Sequence, residues 1–122
     1  MRFSCAAATA AFALLCSEAA VGQDRPPPGR QTLVDLAYVL GESHALRQAC
    51  QGAGDQYWYS RMLRVLDVEA PDEPLKARLT LSFNTGFNGA KASFPTCSSA
   101  ARAEAARIAL RGRSLSDNLG TP

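Results

Sequence analysis

From Gln31 onward the apolar residues of this chain recur at intervals of three and four, which lays them along one side of a helix and excludes the strict alternation of a half-buried strand. The nearest strand candidate, LTLSF at 79–83, also fits a helical stripe through its first and last members. The chain is therefore expected to be all-α. A first stripe, Leu33, Leu36, Ala37, Leu40 and His44, closes at Gly52, a residue suited to stopping a helix. Asp55 suits the N-cap of a second helix, in which Trp58, Tyr59, Met62, Val65 and Leu66 share one face before Pro71 ends it. A third helix starts at Asp72, with Pro74 tolerated in its first turn. Leu75, Leu79, Phe83 and Phe87 form its buried stripe, and Gly86 and Gly89 weaken its second half. The alanine-rich segment 97–112 predicts a fourth helix with a face of small residues, Ala101, Ala105, Ile108, Ala109 and Gly112, that permits close approach. Short connections make this a compact antiparallel bundle of about four helices over 31–119.

The N-terminal segment reads differently. Residues 1–22 combine Arg2, an apolar stretch over 5–16 and the small-x-small end Ala20, Val21, Gly22, the pattern of a cleaved secretory signal peptide. The stretch is shorter than the ~20 apolar residues a membrane-crossing helix needs, so a retained anchor is the weaker alternative. A lipoprotein acylated at Cys16 is disfavoured by the bulky Leu15 before it. Residues 23–30, with prolines at 26–28, read as an extended, solvated arm with little order.

Removal of 1–22 leaves roughly 100 residues, near the lower comfortable limit for one core. Cys5 and Cys16 depart with the signal, and Cys50 and Cys97 remain. In an oxidising compartment two thiols pair, stapling the end of the first helix to the start of the fourth. Two buried free thiols are the alternative. Closing such a loop contributes roughly 4 kcal/mol in the chain-entropy model.

The formal net charge of +2 is unchanged by loss of Arg2 and Glu18, and so mild a balance in an exported chain argues against a nucleic-acid partner. The one histidine, His44, lies on the apolar stripe while Glu42 points away from it, so His44 and Trp58 are expected to be structural, with His44 hydrogen-bonded. No catalytic residues, metal site or cofactor are expected: one histidine and two distant cysteines fall short of a zinc ligand set, and no Cys-x-x-Cys turn supplies a redox dithiol. Two surfaces are candidates for binding. One is the side of the second helix carrying Tyr57, Arg61 and Arg64, opposite its apolar face, with side chains favoured at binding hot spots. The other is the uncharged polar side of the third helix, where Asn84 and Asn88 align with Thr80 and Lys91.

The segments LGESHALRQAC at 40–50, GDQYWYSRML at 54–63, EAPDEP at 69–74, SFNTGF at 82–87 and FPTC at 94–97 resemble a family of small exported alphaproteobacterial proteins of unknown function. The likeness spans about residues 31–119. It implies a disulfide between the two family cysteines, which correspond to Cys50 and Cys97, and no activity. The expected function is that of a periplasmic, non-enzymatic helical protein that binds an envelope protein or peptidoglycan, with no membrane span after signal cleavage. The alternative is a small envelope hydrolase or lyase using His44 with Glu42 or Asp35.

Overall fold

The structure is a computed structural model and describes residues 25–120. The expected signal peptide and the start of the proline-rich arm lie outside the described residues. Among those described, the chain forms four α-helices in sequence order: α1 Pro27–Gln51, α2 Tyr57–Glu69, α3 Glu73–Ser93 and α4 Ser99–Gly120. The all-α expectation holds.

Part of the expected arm belongs to the fold. Pro27 and Pro28 occupy the first turn of α1, where a missing N–H costs no hydrogen bond and the fixed φ of proline already suits a helix. Arg25 then anchors the approach to α1. Its Nε and one terminal nitrogen donate to the two carboxylate oxygens of Glu69 at 2.7 and 2.9 Å, and its other terminal nitrogen donates to the Leu119 carbonyl at 3.2 Å.

Local chemistry sets the other boundaries. Gly52 ends α1 at φ 106°, its N–H bonded to the Gln48 carbonyl. Asp55 lies one position before the N-cap of α2 rather than at it, yet its carboxylate still accepts the Tyr57 N–H at 3.1 Å. Asp72 is the N-cap of α3 and accepts the Leu75 N–H at 2.9 Å. The Ser98 hydroxyl accepts the Ala101 N–H at 3.0 Å at the start of α4.

Helix α1 is the hub: it packs against each of the other three, most extensively α3, and no two of those share a comparable contact. Its buried residues therefore exceed the one expected stripe and include Val39, Gly41, Ser43, Ala45 and Leu46. A helix surrounded on several sides needs apolar or small residues nearly all round. One core cluster joins Leu33, Leu36, Ala37 and Leu40 to Met62 of α2 and Leu75, Leu79 and Phe83 of α3. A second joins Val39, Ala45 and Leu46 to Ala90 of α3 and Ala101 and Ile108 of α4.

Glycine closes two of these interfaces. A Cβ at Gly41 would lie 2.0 Å from the Phe83 carbonyl oxygen, and one at Gly86 would lie 2.2 Å from that of Tyr38. The glycines of α3 do not end it early, because Gly86 is what lets α1 come near. Gly112 approaches the Val39 side chain similarly, and α4 runs past its expected end at 112 because Leu115 and Leu119 continue the buried stripe. Cys50, in the last turn of α1, and Cys97, just ahead of α4, lie at disulfide distance, with sulfurs 2.09 Å and Cα atoms 4.7 Å apart. No helix among the described residues is long and apolar enough to cross a membrane.

Candidate functional site

Because α2 and α4 both pack on α1 but not extensively on each other, a groove opens between them with α1 as its floor. Leu33, Leu36, Val39 and Leu40 form that floor, Trp58, Val65 and Val68 the α2 wall, and Ala109, Gly112 and Leu119 the α4 wall. Its volume is about 600 Å³, within the usual range for ligand pockets. A smaller hollow of about 330 Å³ shares Ser43 and Trp58 with it and continues to Cys50 and Ala101.

The α2 candidates Tyr57, Arg61 and Arg64 all line this groove. They are not a solvated face remote from the core, as the helical wheel suggested. With α1 meeting only one flank of α2, Trp58 and Val65 turn toward the groove beside the arginines. Tyr57 is 43 % exposed; its hydroxyl accepts from Arg61, and the Arg61 and Arg47 guanidinium groups lie 4.2 and 4.6 Å from its ring centroid. This cation–π packing holds Arg61 at the rim without neutralising it. Arg64 and, across the groove, Arg113 complete a cationic margin, and none of the three forms an ion pair with a carboxylate among the described residues. The one acid lining the groove, Glu69, is 7 % exposed and already paired with Arg25.

The structure does not bring Asn84 and Asn88 to this site. Both are exposed on α3, and Asn84 borders only an open depression with Glu73, Lys76 and Thr80.

His44 is 7 % exposed, its ring 5.2 Å from Phe87, 5.8 Å from Phe83 and 6.0 Å from Tyr59, centroid to centroid. Tyr59, placed by its spacing on the shared face of α2, remains 42 % exposed: it lies against His44 from the α2 side with its outer edge in solvent. The expected hydrogen bond to His44 is missing at Nδ1, which is buried without a partner. Burial pushes the His44 pKa below its ordinary value, an effect opposed by the nearby Asp55 charge. Glu42 and Asp35 do not converge on His44. Glu42 is held above the ordinary carboxylate range first by burial, with Arg111, Glu104 and Arg107 of α4 acting on it, and its Oε1 is a buried acceptor without a partner. Asp35 accepts from Gln31 at 3.0 Å on the surface of α1. Trp58, expected to be structural, both packs against the core and lines the groove.

Sequence reasoning missed Arg113, Val68 and Leu119. The two α4 residues lie beyond Gly112, where that helix was expected to stop. The continuing spacing of Ile108, Gly112, Leu115 and Leu119 was the signal that reached them.

Comparison with known proteins adds a family and nothing chemical. A family model described as a protein of unknown function, DUF2385, matches residues 28–121. The chain belongs to the DUF2385 family. The match begins inside the first turn of α1, so the DUF2385 region takes in all four helices and both walls of the groove. Neither the curated proteins nor the solved structures yield a match.

Proposed function

We propose that this DUF2385 protein is a non-enzymatic binding protein of the bacterial periplasm, and that the groove between α2 and α4 is where it takes hold of another envelope component. One observation carries the reading: an apolar channel floored by the hub helix, lined by the chain's one tryptophan and edged by Arg61, Arg64 and Arg113, none of them ion-paired among the described residues. Unpaired guanidinium groups beside apolar surface are the composition of a recognition site, since arginine and aromatic residues dominate binding energy where water is excluded. An apolar floor suits a protein partner better than the polar sugars of peptidoglycan.

Export rests on the pattern of residues 1–22, and a covalent Cys50–Cys97 bond on the separation of the two sulfurs in a chain sent to an oxidising compartment. A fusion of residues 1–30 to a reporter active only outside the cytoplasm tests the address; activity is expected, and an uncleaved cytoplasmic product contradicts it. For the site, a photo-crosslinking amino acid at Val68 in intact cells should give one discrete adduct that Arg61→Glu and Arg113→Glu abolish. The same probe at Asn84 should give none. Equal adducts from both positions would refute the assignment.

A further inference from the structure

We infer that the occupant of the groove is an acidic amphipathic α-helix of a partner protein, with an apolar stripe facing α1 and carboxylates on both flanks. The inference rests on the groove being the binding site. Three features of that groove define the occupant.

The first is shape. α2 and α4 flank α1 without packing extensively on each other, so the channel between them is the position a further helix takes in a bundle. From Leu33 to Cys50 the floor spans roughly 25 Å at ~1.5 Å per residue, four to five helical turns. The second is the distribution of charge. Arg61 and Arg64 stand on the α2 rim, Arg113 on the α4 rim, and Arg102 borders the continuing hollow. A single anionic head on an acyl chain calls for cations gathered at one end. Cations on both rims, Arg61 and Arg64 one turn apart on α2 and Arg102 and Arg113 about three turns apart on α4, call for anionic groups on both sides of the occupant, which a helix with acidic flanks supplies. The third is the lining, which is aliphatic along the floor and offers few hydrogen-bonding groups there to an extended backbone. A helix satisfies its own backbone and presents only side chains.

The single tryptophan makes the test direct, because Trp58 lines both the groove and its continuation. The exported form of the chain is titrated with three probes while Trp58 emission is followed: an 18-residue peptide with a leucine stripe flanked by glutamates, the same peptide with lysine for each glutamate, and sodium palmitate. The glutamate peptide should saturate a blue shift, and the lysine peptide should bind at least tenfold more weakly. Arg61→Glu and Arg113→Glu should each lower affinity for the glutamate peptide at least tenfold and raise that for the lysine peptide, with thermal melting unchanged. Saturation by palmitate with no response to either peptide overturns the helical partner and leaves the groove as a binding site. No response to any probe overturns both readings. A dimer by sedimentation that Arg61→Glu separates would make a second copy of the chain the occupant and likewise overturn the inference.

Discussion

Gly41 of α1 and Gly86 of α3 sit against each other's helices, so that each removes the side chain that would collide with the opposite backbone. The obstacles are the carbonyl oxygens of Phe83 and Tyr38, which are main-chain atoms and cannot rotate aside. This crossing sets the distance at which Phe83 and Phe87 reach His44, and Ser82 donates to the Val34 carbonyl at 2.7 Å beside it.

Gly41→Ala and Gly86→Ala should therefore each destabilise the protein by about 2–3 kcal/mol in denaturant titrations, the upper range for overpacking. The double variant should lose less than the sum, since one separation of the helices relieves both clashes. Gly54→Ala is the control: nothing lies within 4 Å of a Cβ there, and a change within ~0.5 kcal/mol is expected.

Arg25→Gln should cost about 2 kcal/mol, because it leaves the buried Glu69 carboxylate without its bidentate partner. Adding Glu69→Gln should recover part of that loss. A double-mutant cycle with no coupling would show that the pair does not hold the start of α1 to α2.

The buried groups of α1 give stability a pH dependence of known sign. His44 has a folded pKa below 6.5, so as pH falls from that value the unfolded chain takes up a proton the folded one resists, and stability declines toward the folded pKa. Glu42 acts oppositely: its folded pKa is raised, so its contribution is full below about pH 4.5 and is lost as pH rises through the folded value. Urea titrations in a Glu42→Gln background should show stability falling below about pH 6.5, and His44→Gln should remove that slope while costing about 1–3 kcal/mol at neutral pH through lost packing. Glu42→Gln alone should raise the melting temperature at pH 7.

Under the proposed export and cleavage, thiol labelling of the denatured, unreduced mature chain should find no free cysteine, and Cys50→Ser should lower stability by roughly 4 kcal/mol. Labelling of both Cys50 and Cys97 would contradict the bond.

Much of this architecture was legible in residue spacing. The stripe from Leu33 to His44, the Asp72 cap and the Gly52 stop follow from local rules and stand in the structure. Glycine inside a helix was legible only in part, because a residue that weakens a helix and one that admits a neighbouring backbone look alike in one sequence. Gly112, among small residues on one face, was read as permitting close approach and does meet Val39, whereas Gly86 was read only as a weak point of α3. Proline at the head of α1 is the same problem, since 26–28 suits either an extended arm or a first turn, and contacts made across the fold, such as Arg25 with Glu69, distinguish them. For the candidate site, Tyr57, Arg61 and Arg64 were visible as residue types. The groove they edge was not, because it arises from two helices that pack on a third and little on each other.

The central claim is that the channel between α2 and α4, rather than the polar face of α3, is the surface that binds. Backbone amide shifts of the labelled protein, recorded as the glutamate-flanked peptide is added, test it most directly. The largest changes are expected at Trp58, Arg61, Arg64 and Val68 of α2, at Ala109 to Leu119 of α4, and at the Trp58 indole, with Asn84 and Asn88 unmoved. Changes centred on Asn84 and Asn88, with Trp58 and Arg113 silent, would contradict the account.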